Sequence, residues 1–114
     1  MNKIDSYRFG QIIIDGKKYT SDVVILHDRV QANWRRHESH KLTLIDITGI
    51  IDGNPEALIV GTGAAGRMKV LPEVEEVTTA RNIQLIIQPT GKACEIFNQL
   101  SSMQRMVAAL HLTC

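Results

Sequence analysis

The chain has 114 residues, of which 44% are apolar and 22% charged, with a net charge of +1 and two cysteines. A chain of this size forms one domain and buries about two-thirds of its unfolded surface. The near-zero net charge excludes general electrostatic attraction to nucleic acid or acidic membranes, and two cysteines make no disulfide framework. No stretch has a membrane span's roughly 20 apolar residues, and the first ten residues lack the apolar core of a signal peptide. We expect one cytoplasmic domain over residues 1–114.

The N-terminal part of the chain is predicted to form an antiparallel hairpin followed by a buried strand. Residues 7–14 are a predicted strand, and Asp15-Gly16 is a strong two-residue hairpin signal that returns the chain along residues 17–20. The apolar, largely β-branched run at 23–26 suits a buried strand. This half of the chain therefore predicts antiparallel pairing.

Residues 43–51 carry mixed signals. Apolar side chains recur at i, i+3 and i+7, and Thr43 with Asp46 has the spacing of a capping box, which favours a helix. Gly49 and the isoleucines favour a strand instead. We predict a helix here, and a strand is the alternative.

The central part of the chain is an apolar run at 57–60 that leads into a glycine-rich loop at 61–66. Four apolar residues without alternation are typical of a strand buried on both faces at the centre of a sheet. Glycines permit positive φ and close approach to the backbone. Pro72 suits the first position of a following helix, which Asn82 can end in a left-handed conformation.

The C-terminal part alternates strand and helix. Residues 83–87 and 106–110 are predicted strands, and Thr90 is the predicted N-cap of the helix between them. The succession of strand, helix, strand, helix and strand predicts parallel pairing in an α/β domain.

The glycine-rich loop matches two phosphate-binding patterns only in part. Its GxGxxG spacing lacks a helix that opens inside the motif, because Pro72 favours a helix start six residues beyond Gly66. Read as a Walker loop, it has Arg67 where lysine belongs and Met68 where a hydroxyl would hold Mg²⁺. A tight strand-to-loop crossing and a small-ligand or anion site on the loop N–H groups are the remaining interpretations.

A basic segment around Trp34 supplies candidate ligand-binding side chains. Arginine forks bind carboxylate or phosphate in bidentate fashion, although a surface run of charges is commonly just a solvated face. We hypothesise that Trp34 anchors its segment so that an arginine faces the loop and a small anion binds between them. The candidate ligand-binding residues are Gly61, Thr62, Gly63, Gly66, Arg67, Trp34, Arg35 and Arg36.

Metal binding and catalysis have little support in the sequence. His37 with His40, and His111 with Cys114, share an i, i+3 spacing, but a metal site would need the two pairs to meet. Cys94 falls near the apolar face of a predicted helix and is expected to fill the core. With no coherent set of acid, base and nucleophile, we predict no catalytic residue, no metal and no cofactor.

Several of these features together resemble one family. They are the apolar strand into Gly61-Thr62-Gly63, the Trp34-Arg35 pair, the helix that carries Phe97-Asn98, and the terminal His-Leu-Thr-Cys. Over about residues 9–114 the chain resembles the Mth-nine-three-eight-like domain family. The resemblance implies a single compact three-layer α/β domain, a mixed β-sheet flanked by helices with an N-terminal β-hairpin. It also implies no established catalytic activity and, from characterised eukaryotic members, an interaction or assembly role.

The expected function is therefore a non-enzymatic interaction or assembly module. Its exposed surface would be the glycine-rich loop together with residues 34–41, and its partner a protein rather than nucleic acid or a membrane. The alternative is a small-molecule or anion-binding protein, or an enzyme, that uses the loop and the nearby arginines.

Overall fold

The computed structural model describes residues 2–38 and 40–114. In chain order the elements are β1 (Ile4–Arg8), β2 (Gln11–Ile14), β3 (Lys17–Tyr19), β4 (Val23–Ile25), β5 (Val30–Gln31), β6 (Lys41–Leu42), α1 (Leu44–Ile51), β7 (Ala57–Thr62), β8 (Lys69–Val70), α2 (Pro72–Ala80), β9 (Gln84–Gln88), α3 (Thr90–Leu100) and β10 (Met106–His111).

A five-stranded mixed sheet forms the middle of the molecule, with strand order β5-β4-β10-β7-β9. β7 pairs in parallel with β10 and with β9, while β4 is antiparallel to β10 and to β5. Every residue of β7 and of β10 is buried. The predicted central strand at 57–60 and the parallel pairing of the C-terminal half are both confirmed.

The N-terminal strands form a separate antiparallel sheet in the order β1-β2-β3. Asp15 and Gly16 connect β2 to β3 with φ of 51° and 80°, so the predicted hairpin is confirmed. The prediction of one strand over residues 7–14 is wrong. The chain turns at Phe9-Gly10, where Gly10 has a φ of 77° and donates its N–H to the Leu112 carbonyl over 2.9 Å. An L residue rarely adopts that φ, and the glycine supplies it.

Two apolar clusters cover the two faces of the five-stranded sheet. On one face α1 and α2 pack through Ile47 and Val74 against residues that include Leu58. On the other face α3 and the hairpin sheet pack through Phe97 and Ile12 against residues that include Ile59. Successive side chains of β7 thus enter opposite layers, as strand geometry requires. The predicted three-layer α/β fold is confirmed.

The helix boundaries follow local chemistry. α1 is a helix rather than a strand, and the Asp46 carboxylate accepts the Thr43 N–H over 2.9 Å, the return bond of a capping box. α2 begins at Pro72, and Asn82 beyond its end has a φ of 58°. The prediction that Thr90 is an N-cap is wrong. Pro89 holds that position, and the Thr90 hydroxyl bonds elsewhere.

None of the helices in the described residues is both long enough and apolar enough to cross a membrane. The cytoplasmic location stays a prediction.

Candidate functional site

The glycine-rich loop lies where the carboxyl ends of the three parallel strands meet. β7 ends in the loop, β9 ends at Gln88 just before Thr90, and β10 ends at His111. In α/β sheets this edge is where ligands commonly bind, because strands deliver loops from several parts of the chain to one place. The residues at this edge are therefore the first candidates for function.

Thr90 ties the three strand ends together and is fully buried. Its hydroxyl accepts the Gly63 N–H over 2.9 Å and donates to the His111 carbonyl over 2.6 Å. Gly61 packs directly on it: a Cβ at Gly61 would lie 2.8 Å from the Thr90 hydroxyl oxygen. Close backbone packing therefore explains the glycine at position 61.

The loop N–H groups that the sequence offered to an anion bond largely within the chain. The Gly63 N–H bonds Thr90, as described above. The Ala64 N–H donates to the Thr113 carbonyl over 2.8 Å and the Gly66 N–H to the Gly63 carbonyl over 3.1 Å. Just after the loop, the Met68 N–H donates to the Thr62 carbonyl over 3.0 Å. These four groups are satisfied without a ligand. The loop is a turn that is stabilised by hydrogen bonds within the chain.

Gly63 has a φ of 106°, and a Cβ at that position would lie 2.7 Å from the Thr113 carbonyl oxygen. We expect Gly63→Ala to lower the free energy of unfolding by about 1–3 kcal/mol, because alanine is strained at that φ and collides with backbone. Urea unfolding measures the change. Gly53→Ala is the matched control, since its Cβ would enter open space. Equal stability of the two variants would contradict this account.

A buried ionic cluster of Asp22, Arg36 and His111 lies beside the loop. The Arg36 guanidinium donates to Asp22 Oδ2 over 2.9 Å, and His111 Nδ1 lies 2.8 Å from the same oxygen. The second Asp22 oxygen accepts the Leu112 N–H over 2.8 Å. Because an ionised carboxylate only accepts, Nδ1 donates to Asp22. Arg36 is bonded into this cluster and is not presented to solvent.

Trp34 anchors this basic segment to the core. Its side chain is buried, and its backbone N–H bonds the Asp22 carbonyl over 2.9 Å. The Arg36 guanidinium lies 4.9 Å from the centre of the indole ring, in cation–π range. Arg35 and Arg67 are exposed. Whether any of these residues binds a ligand stays a prediction.

His111 stands between Arg36 and the glycine-rich loop. Its Nδ1 edge meets Asp22 and Arg36, whereas Cδ2 on the opposite edge lies 3.0 Å from where a Gly63 Cβ would be. The neighbouring Nε2 is buried and has no hydrogen-bond partner among the described residues. A buried polar nitrogen of this kind is uncommon and calls for a partner.

Sequence reasoning missed Asp22 and the part that His111 plays. The two residues are 89 positions apart, and neither lies in a recognisable motif. The one available signal was a carboxylate placed directly before the buried run at 23–26. Arg36 was among the candidate ligand-binding residues, but its partner Asp22 was not predicted.

The histidines and cysteines do not form a metal cluster in the residues that the structure describes. His37 and His40 are exposed, and His111 is buried in the ionic cluster. We expect a chelator to leave the melting temperature unchanged. Stoichiometric zinc in protein purified without a histidine tag, together with chelator-induced loss of stability, would contradict this prediction.

Two cavities with a partly apolar lining lie at the opposite edge of the sheet. One, of about 270 Å³, lies between the β4–β5 turn, α1 and the start of β10. The other, of about 450 Å³, lies between the end of α3 and the start of β10. The carboxyl edge instead exposes the large apolar side chain of Phe9, which is 63% accessible.

The fold and this edge define a small three-layer α/β domain with a glycine-rich crossing beside a buried ionic cluster. A model of a protein family of unknown function, DUF498/DUF598, matches residues 4–112. The chain belongs to this family.

Individual relatives agree with that assignment. The chain is 32% identical over 80 residues to NADH dehydrogenase [ubiquinone] 1 alpha subcomplex assembly factor 3 of Danio rerio. The aligned residues are 70% of this chain and 45% of the relative. It thus spans less than half of that protein. A conserved hypothetical protein of Pyrococcus horikoshii is 31% identical with a TM-score of 0.87, covering 98% of this chain and 99% of that one.

A third similarity connects the chain to the family named from its motifs. The solution structure of a Mth938-like domain from Bordetella pertussis shares the fold with a TM-score of 0.75 at 22% identity, over 97% of this chain and 85% of that one. The resemblance found in the sequence is confirmed.

Proposed function

We propose that this chain is a non-enzymatic interaction or assembly module that contacts a protein partner through the carboxyl edge of its sheet. The observation that carries the proposal is the exposure of the Phe9 side chain. Its ring is exposed at a turn that the Gly10 N–H fixes to the Leu112 carbonyl. An aromatic side chain held on a rigid turn is the kind of anchor that dominates binding energy at protein interfaces.

Small and basic residues surround this anchor and complete the contact surface. Ala64 and Ala65 of the loop and Arg67 just after it are exposed, and the Ala64 N–H bonds the Thr113 carbonyl next to the Phe9 turn. Small side chains let a partner approach the backbone closely. We call the exposed residues Phe9, Ala64, Ala65, Arg67 and Arg35 the docking edge.

The basic segment adjoins the loop through a short parallel pairing. β6 and β8 are hydrogen-bonded, with Lys41 opposite Lys69, and the Lys69 N–H bonds the His40 carbonyl over 2.8 Å. His40 and Lys41 at the end of the basic segment therefore lie directly beside the chain that leaves the loop. This continuity supports a surface large enough for a protein.

Internal bonding of the loop favours a partner over an anion. Three N–H groups of the loop and the N–H of Met68 just after it already have acceptors, so an anion would have to displace those hydrogen bonds. The relationship to an assembly factor of NADH dehydrogenase points the same way. Subunits of an NADH dehydrogenase are the first partners to test.

The proposal is tested by site-specific photo-crosslinking in the producing cells. A crosslinking amino acid at Ala65 is expected to yield a discrete protein adduct, and one at Met103, which is 69% exposed near the opposite edge, is not. Phe9→Ser should remove the adduct, whereas the matched Met103→Ser should leave it. Adducts of equal yield at the two positions, or none at Ala65, would count against the docking edge.

A small-anion site is the second candidate, and the unpartnered His111 Nε2 beside Gly63 favours it. Calorimetric titration with phosphate, sulfate and small carboxylates tests it. Arg35→Ala and Arg67→Ala serve as variants because both side chains are exposed. Absence of heat at millimolar ligand would rule this candidate out.

A further inference from the structure

Strand β9 forms one outer edge of the five-stranded sheet, next to β7. All five of its residues are at least partly exposed, in contrast to the fully buried β7 and β10. The other edge strand, β5, has only two residues. β9 is thus the longest exposed strand edge of this sheet.

This edge lacks the usual protection against pairing with another strand. Its sequence, Gln-Leu-Ile-Ile-Gln, contains no charge, proline or glycine. Its register with β7 runs without a bulge from Gln84 to Gln88. Natural proteins blunt free edges with lysine, proline or bulges because a bare edge recruits other strands. A bare edge in a natural chain therefore indicates an interface.

The backbone hydrogen bonds show which residues face outward. The Gln84 N–H bonds the Glu56 carbonyl over 3.0 Å, so Gln84 faces β7. Alternate residues of a strand direct their N–H and C=O groups to opposite sides. Ile86 and Gln88 therefore also face β7, and the groups of Leu85 and Ile87 point away from the sheet.

We propose that β9 pairs in antiparallel orientation with β9 of a second copy of this chain, across a twofold axis at Ile86. In this register Leu85 lies opposite Ile87 of the second copy, and the two outward-facing residues exchange both of their hydrogen bonds. The symmetry repeats the exchange, which gives four bonds. Gln84 lies opposite Gln88 of the second copy, so amides pair with amides and apolar side chains with apolar ones.

A twofold interface must be self-complementary, and the near-palindrome of β9 satisfies that requirement. The two neighbouring twofold registers lose part of this hydrogen bonding. A shift of two residues in one direction places Ile87 opposite Ile83, whose N–H already bonds the Thr78 carbonyl over 2.8 Å. A shift in the other direction places Leu85 opposite Pro89, which has no N–H. Only the register centred on Ile86 uses all four bonds.

The side chains support the same partner. A groove of about 310 Å³ between α2 and β9 is lined by residues that include Leu85 and Ile87, and Ile87 is 36% exposed. Apolar cross-strand pairs stabilise antiparallel strands, and Leu85 with Ile87 of the second copy forms two of them. Pairing would cover the apolar side chains that the single chain leaves in water.

Sedimentation velocity over a concentration series tests the proposal. Wild type is expected to show a concentration-dependent monomer–dimer equilibrium. Ile87→Lys places a charge on the edge and should shift it to monomer, while Ile45→Lys, at an isoleucine 69% exposed on α1, should leave it unchanged. A monomeric wild type at millimolar concentration overturns the proposal, and so does equal dimerisation of the two variants.

A second measurement tests the register and does not depend on the folding of Ile87→Lys. Opposite residues in a non-hydrogen-bonded antiparallel pair have Cα atoms about 4.5 Å apart, which permits a disulfide. In a Cys114→Ser background, Ile86→Cys should form a covalent dimer on oxidation. Gln84→Cys should not, because it faces Gln88. Crosslinking of Gln84→Cys alone, or of neither variant, overturns the proposed pairing.

Discussion

Replacing Ile59 with alanine is expected to lower the free energy of unfolding by about 2–5 kcal/mol. Ile59 has no exposed surface and lies on β7 between Ala108 of β10 and Ile86 of β9. Its side chain enters the layer that α3 and the hairpin sheet cover. Paired strands on both sides restrict the movement of β7, so the cavity left by alanine cannot collapse fully. Urea or guanidinium unfolding measures the loss.

Ile45→Ala is the matched control, because Ile45 on α1 is 69% exposed. It removes the same atoms from water-facing surface, so the free energy of unfolding should change by less than about 0.5 kcal/mol. A loss below 1 kcal/mol for Ile59→Ala, or equal losses for both variants, would show that β7 is not the rigid centre of the core.

The parts of the fold that could be predicted are those that depend on neighbouring residues in the sequence. Four apolar residues without alternation identify β7 because parallel strands covered on both faces need no polar side. Asp15-Gly16 identifies its hairpin because two consecutive positive φ values are needed there. Pro72 identifies a helix start because its fixed φ and missing N–H suit that position.

The candidate site was predictable only in part, because its bonds connect distant positions. The three glycines located the loop. Thr90 was assigned the role of an N-cap from its position before a helix, yet its hydroxyl bonds Gly63 and His111, 27 and 21 residues away. Asp22 lies in no recognisable motif, and only the pairing of β4 with β10 brings it to His111. Local patterns carry no information on such contacts.

Phe9 illustrates a different failure. Its apolar character favoured a strand, but β1 ends at Arg8 and the chain turns at Phe9 and Gly10, which leaves the ring in water. Sequence patterns treat an apolar residue as buried by default. The exposed ring of Phe9 is a case in which that default is wrong.

The charge state of Asp22 connects the ionic cluster to pH. Burial by itself would raise the pKa of Asp22. Hydrogen bonds from His111, from the Leu112 N–H and from Arg36, together with electrostatic attraction to His111, outweigh burial and hold the pKa below its ordinary value of 3.8. A carboxyl whose pKa is lower in the folded than in the unfolded protein stabilises the fold above its unfolded pKa. That contribution is lost as the pH falls through the folded pKa.

Asp22→Asn is therefore expected to lower the free energy of unfolding at neutral pH by about 3–5 kcal/mol. It removes the carboxylate from a guanidinium whose side chain is only 4% exposed. Below about pH 4 the difference between wild type and Asp22→Asn should shrink, since protonated Asp22 is also neutral.

Other carboxyls titrate in both proteins, so their contributions cancel in the comparison. Urea unfolding of both at neutral pH and at successively lower pH measures the difference, with Asp28→Asn, whose side chain is 69% exposed, as control. A difference that stays constant between neutral pH and about pH 2 would show that Asp22 stabilises the fold by its shape and hydrogen bonds rather than by its charge.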